Sequence, residues 1–193
     1  MEGRILASLL GFCVVLAACA QDTEHKERKQ PDFDLIKFSG LWYEIALASE
    51  LGHQVTMDKS KKVGAVLVQL EEKTLALTSV FDDMKHCVKE TDQASQGAVP
   101  GTYMVSRDSV SKEVRVLFTD YETYAVMSVT LHKGDKTQKV MKLYSRSLNN
   151  NEEAIKKFKE VAMANGFSQE DVCLLDPDRT CVNLLSSGAE QRS

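Results

Sequence analysis

Proline and glycine are scarce, three and ten in 193 residues. That excludes a collagen-like or proline-rich chain. Neither sign of charge dominates: 24 basic and 28 acidic side chains leave a formal net charge of −4. Such a balance gives no electrostatic reason to bind nucleic acid. The sequence has no Gly-x-Ser-x-Gly, His-Glu-x-x-His or phosphate-loop motif, no Asn-x-Ser/Thr acceptor and no long-period repeat. The four histidines, His25, His53, His86 and His132, are scattered, without the close spacing of a zinc site. The acid pairs Asp82–Asp83 and Glu152–Glu153 suit a turn and a helix start better than acid/base catalysis. Nothing in the sequence implies a metal or a cofactor. What is present is a 43% hydrophobic composition, enough for a core and contrary to disorder. The length suits one domain. Five cysteines are an odd number, so one thiol stays free or some cysteines leave with a processed segment.

The amino terminus addresses that oddness. Arg4 precedes the apolar run 5–18, which is too short to span a bilayer of roughly 30 Å as a helix. The run ends in Ala18-Cys19-Ala20, and residues 1–20 read as a secretory signal cleaved after Ala20. Cys13 and Cys19 leave with it. A competing reading takes Leu16-Ala17-Ala18-Cys19 as a bacterial lipoprotein box, with Cys19 lipidated and the protein tethered to a membrane. No second long apolar run follows. Cys87, Cys173 and Cys181 remain, and an oxidising compartment favours one bridge among them. Residues 21–31 are polar and charged and read as a flexible leader. Residues 186–193 read as a flexible tail.

Between these lies a series of short strand signals, at 43–49, 63–70, 74–81, 86–91, 102–106, 113–119, 124–131 and 139–145, separated by turn formers such as Pro100-Gly101 and Gly134-Asp135. Their spacing predicts an all-β sandwich or barrel. Eight strands would close a barrel wide enough for one small ligand. One helix follows. Asn150 or Asn151 can cap it, Glu152 and Glu153 suit its positive end, and Asn165-Gly166 ends it. Ile155, Phe158, Val161 and Ala162 form one apolar stripe. The helix should therefore lie outside the sheet, over outward-facing Met141 and Leu143.

Three blocks now carry a family resemblance. The segment from Phe33 through Gly40-Leu41-Trp42-Tyr43 resembles the first conserved block of the lipocalins, Thr119-Asp120-Tyr121 the second, and Arg146 the third. Their order and placement agree, and the resemblance covers residues 32–185 as one lipocalin domain. It implies an eight-stranded antiparallel up-and-down barrel with one C-terminal flanking α-helix. It also implies a Cys87–Cys181 disulfide, although the residues alone leave Cys173–Cys181 open, with Cys173 otherwise a buried inert thiol. The segments 38–49 and 141–148 are similar to the retinoic acid-binding lipocalins of the epididymis. That similarity implies secretion, a retinoid such as retinoic acid as ligand, and epididymal fluid around sperm as the setting. Loose association with the sperm surface or a receptor is a further implied partner. One lipocalin is a prostaglandin-forming enzyme with a cavity thiol, but this chain has no cysteine in its first three strands, and no catalytic residues are expected.

Under the resemblance Trp42 plugs the closed end of the barrel and Arg146 lies over its indole, a structural pair together with Gly40, Thr119, Asp120 and Tyr121. Side chains alternate along a strand, so an inward Arg146 turns Tyr144 and Lys142 inward as well. Lys142 would be a cation in an apolar cavity, needing either a ligand carboxylate or an internal acid as partner. The same alternation makes Val114, Val116 and Phe118 the expected ligand-contacting face of one further strand, and the lipocalin barrel geometry implies Ala125, Met127 and Val129 for the next. Leu75, Leu77 and Phe81 are expected to line the third strand. If Cys87 faces out, His86 and Val88 face in. The connection 50–62 would lid the open end.

Overall fold

The computed structural model describes residues 33–50, 61–72, 74–83, 85–107 and 110–186. Residues 1–20, the leader, most of the 50–62 connection and the tail beyond residue 186 lie outside these.

Alternating apolar and polar residues give eight long strands: β1 (Gly40–Ser49), β2 (Gly64–Leu70), β3 (Leu75–Asp82), β4 (Cys87–Gln96), β5 (Thr102–Arg107), β6 (Val110–Thr119), β7 (Tyr124–Lys133) and β8 (Lys136–Ser145). Each pairs antiparallel with its successor, and β1 pairs with both β2 and β8. The sheet is thus closed into a barrel, which leaves no free edge between its first and last strands. A ninth strand, β9 (Val172–Leu174), adds to β1 over Ala46, Leu47 and Ala48.

A short helix, α1 (Leu35–Phe38), precedes β1. Asp34 caps it by accepting from the Lys37 amide at 3.0 Å. The longer helix α2 (Glu152–Ala164) lies against the outside of the barrel, burying Phe158, Ala154 and Ala162 on Met141 and Leu143. Asn151 precedes α2 without a side-chain capping bond to it. Its amide oxygen instead accepts from the Ser145 hydroxyl at 2.7 Å, tying the helix start to β8. At the other end Gly166 takes a φ of +93°, and the Phe167 amide donates to Ala162 at 3.1 Å. This left-handed glycine turn returns Phe167 to the helix–barrel core. A last short helix, α3 (Asn183–Ser186), follows the disulfide.

Cys87 and Cys181 are bonded, joining the start of β4 to the C-terminal segment across 94 residues. Closing a loop of that length contributes on the order of 4 kcal/mol in the chain-entropy model. Cys173 is free and half-buried on β9, rather than fully buried as expected, because β9 is an added edge. Burial nonetheless pushes its thiol pKa up, against the opposing charge of Lys61.

Two bulges set which side chains face the interior. One lies at Ile45, between the pairs Glu44–Tyr144 and Ala46–Leu143. The other lies at Leu117, between Val116–Met127 and Phe118–Val126. An extra residue in one strand reverses the facing of everything beyond it.

Candidate functional site

One end of the barrel is sealed. Trp42 is fully buried and its indole Nε1 donates to the Phe38 carbonyl at 2.8 Å. The Arg146 guanidinium lies 3.7 Å from the Trp42 ring centroid. It donates to the carbonyls of Lys37, Leu41 and Ser39, each at 2.9 Å. Gly40 permits this approach: its φ is +99°, and a Cβ there would meet Arg146 Nη1 at 3.2 Å. Phe33 and Phe38 pack beside the plug, with ring centroids 5.0 Å apart and their planes tilted by 56°. The turn after β6 completes the seal. Asp120 accepts from the amides of Glu122, Thr123 and Tyr124 and from the Thr123 hydroxyl. Burial works against its charge, but these hydrogen bonds prevail and hold its pKa below the usual value. Thr119 accepts from the Tyr121 amide at 2.9 Å, and the Tyr121 hydroxyl accepts from the Asp34 amide.

Above the plug lies a cavity of about 120 Å3. Its apolar wall includes Val66 and Val68 of β2, Leu75 and Leu77 of β3, and Tyr103 and Val105 of β5. Val114, Val116, Met127 and Val129 complete it from β6 and β7. Burial pushes the Tyr103 phenol up to about 12, so it stays neutral.

Several expected contacts fall elsewhere. Phe118 is on the outer face, stacked on Tyr124 at 5.3 Å under the α2 side of the barrel. The bulge at Leu117 has turned it away from the side of Val114 and Val116. Ala125 faces the interior but is fully buried in the core beneath the cavity. Phe81 and Val88 pair with each other toward the open end and do not line the cavity. Lys61 Nζ stands 6.0 Å from the Phe81 ring centroid. His86 is an exposed turn residue beside Asp83 rather than an inward strand residue.

Lys142 and Tyr144 both line the cavity, and neither is free. Lys142 Nζ is 2.8 Å from Glu44 Oε2, and the Tyr144 hydroxyl donates to the same oxygen at 3.2 Å. Burial opposes the Lys142 charge, but the Glu44 carboxylate and Tyr144 outweigh it and hold its pKa above the ordinary value. The Tyr144 phenol is raised by burial and by the Glu44 charge. Lys142 therefore has the internal acid as its partner, and a ligand carboxylate is not needed there. The alternation that turned Trp42 inward also turns Glu44 inward, so this partner was readable from β1.

A second group of charges stands nearer the open end. Asp92 and Lys112 line the cavity wall. Lys112 Nζ lies 3.5 Å from both Glu90 and Asp92. Arg107 contacts the same two acids, at 2.7 Å and 3.4 Å. These charges escaped sequence reading because the expected strands, 86–91 and 113–119, stop one residue short of Asp92 and Lys112, whereas β4 and β6 run through them. Their parity with Ala94, Val105 and Val114 was the available signal. Among the described residues no set of three His, Cys, Asp or Glu is grouped to hold a metal ion. No thiol lines the cavity among them.

Comparison with known proteins agrees with this geometry. The model of the lipocalin / cytosolic fatty-acid binding protein family matches residues 39–177. The chain is a lipocalin. It is 46% identical over 188 residues to epididymal-specific lipocalin-5 of Mus musculus, covering 97% of this chain and 95% of that protein. The Rattus norvegicus protein of the same name is 43% identical over 192 residues, with complete coverage of both. Among solved structures, that of the siderocalin Ex-FABP superposes with a TM-score of 0.67 at 28% identity, covering 75% of this lipocalin and 97% of that chain. Its description credits that protein with dual ligand specificities. Membership brings the family's general role, carriage of a small hydrophobic ligand in the barrel.

Proposed function

We propose that this lipocalin is a secreted, non-catalytic carrier of an elongated acidic lipid, a retinoid such as retinoic acid, in epididymal fluid. The observation that carries the reading is the cavity itself: an apolar wall sealed at one end by Trp42 and Arg146, with one cation deep in it, Lys142, and another toward the mouth, Lys112. Removing apolar ligand surface from water contributes about 25 cal/mol per Å2 and supplies the affinity. The space of about 120 Å3 holds part of an elongated ligand, and the remainder lies in the mouth.

The acid end belongs at the mouth. A carboxylate beside Lys142 would stand against the Glu44 carboxylate, and like charges that close repel. At the mouth two cations stand with two acids: Lys112 makes only long contacts, 3.5 Å to Glu90 and to Asp92, while half-exposed Arg107 donates to Glu90 at 2.7 Å. Lys112 can turn toward an incoming carboxylate at low cost, while Arg107 stays to balance Glu90 and Asp92. The epididymal setting and secretion rest on the relatives' names and on the signal-like segment 1–20. Contact with the sperm surface or a receptor would be loose and would not involve the cavity.

Titration with all-trans-retinoic acid tests the reading, because the retinoid absorbs the emission of Trp42, the chain's one tryptophan. Saturable quenching at one ligand per chain is expected. No quenching and no shift of the retinoid spectrum would remove the retinoid from consideration.

A further inference from the structure

The deep wall of the cavity carries a polar group that a plain hydrocarbon leaves unused. Lys142 sits one inward position above Tyr144, and Glu44 sits one inward position above the Trp42 plug. The ammonium has three N–H donors. Glu44 takes one at 2.8 Å, and Tyr144 is its other close polar neighbour. The Lys142 side chain keeps 27% of its surface accessible, and it lines the cavity. One donor therefore remains for whatever fills that space.

The position matches the far end of a ligand whose acid is at the mouth. Strand β7 pairs with both walls and serves as a ruler: Lys112 is opposite Leu131, and Lys142 is opposite Met127. Four residues of strand span roughly 13 Å. An extended polyene or acyl chain bridges that distance, which brings its end away from the acid to Lys142. A hydrocarbon end would cover the ammonium and strip its remaining donor of water without replacing the bond, a loss of the kind buried polar groups avoid. A second carboxylate would meet Glu44. A neutral oxygen, hydroxyl or carbonyl, accepts from Lys142 without opposing Glu44.

We infer that the Lys142–Glu44–Tyr144 group is a second polar subsite that selects ligands bearing a hydroxyl or carbonyl oxygen at the end opposite their acid. The inference rests on the carrier reading and deepens it, adding oxidised lipids as the favoured class. A hydrogen bond to a charged group contributes about 1.5–3 kcal/mol, so the preference should be tenfold or more when the bond forms.

The test measures affinities of retinoic acid and of its ring-hydroxylated derivative by quenching of Trp42 emission. The wild-type protein should bind the hydroxylated ligand at least as tightly as retinoic acid, although the hydroxyl makes it more water-soluble. The double variant Glu44→Gln/Lys142→Met removes both charges together. In it the ratio of the two affinities should move about tenfold toward retinoic acid. An unchanged ratio overturns the subsite. So does a wild-type protein that binds the hydroxylated ligand ten times more weakly, a result that requires no variant to fold. If neither ligand binds, the carrier reading fails first and the subsite with it. If both bind and the ratio of their affinities is the same in the wild-type protein and the double variant, carriage stands and the subsite is wrong.

Discussion

At the closed end of the barrel, one guanidinium makes three hydrogen bonds of 2.9 Å to carbonyls while covering a fully buried indole. At the mouth, Lys112 stands 3.5 Å from two carboxylates, and Arg107 and Lys112 share both acids. Both places hold cations in a polar network, yet one is fixed by backbone acceptors and the other is held by side-chain carboxylates. Backbone carbonyls cannot turn away, so the Arg146 arrangement serves stability. Side-chain carboxylates can yield to a ligand, so the Lys112 arrangement serves recognition. The Lys142 group lies between the two in position and in kind, with a firm internal ion pair and a donor toward the cavity.

Substitutions should separate these roles. The largest loss belongs to the plug: Trp42→Ala should destabilise the barrel by roughly 3–5 kcal/mol in denaturant unfolding. A loss below 1 kcal/mol would show that the closed end does not hold the fold. Next comes the buried pair. Glu44→Ala leaves Lys142 charged and unpartnered and should cost about 3 kcal/mol. Glu44→Gln/Lys142→Met should recover most of that, because the uncompensated charge is gone. If the double variant is no more stable than Glu44→Ala, the pair is not the reason for the loss.

A smaller effect, whose pH dependence is confined to the acid range, belongs to Asp120. Its pKa is lower folded than unfolded. Its contribution is therefore fully present above the unfolded value of about 3.9 and is lost as pH falls through the lower folded value. Unfolding followed from pH 7 downward (about pH 5 to pH 2 is the decisive range) should show a shallower acid limb for Asp120→Asn. The smallest stability effect is at the mouth. Lys112→Ala should change stability by no more than about 1 kcal/mol. It should weaken retinoic acid binding about tenfold, by loss of a charge-assisted hydrogen bond. That weakening should shrink as salt is raised. A large loss of stability with unchanged affinity would invert the comparison of the two ends.

The same contrast governs how much the sequence discloses. Trp42, Arg146, Asp120 and Cys87–Cys181 lie in the conserved blocks and disulfide that mark a lipocalin, and the closed end was readable from them. Alternation placed Lys142, Tyr144, Val114 and Leu75, and the family's barrel geometry Met127, on the side that lines the cavity. It failed at Phe118 because a bulge is a property of the hydrogen-bond register between β6 and β7, and no residue in Val116-Leu117-Phe118 announces it. It did not reach Asp92 and Lys112, because the expected strands 86–91 and 113–119 stop one residue short of them, whereas β4 and β6 include both. The joining of β9 to β1 depends on where the chain travels after α2, so Cys173 read as buried when it is half-exposed on an edge.

The most direct test of the account is where a ligand perturbs the protein. Amide chemical shifts recorded during a retinoic acid titration should move along Val114, Val116, Met127, Val129 and Lys142. Those of Met141, Leu143 and Phe158, outside the barrel under α2, should stay in place. Shifts concentrated under α2, with the cavity strands unmoved, would contradict the cavity as the binding site.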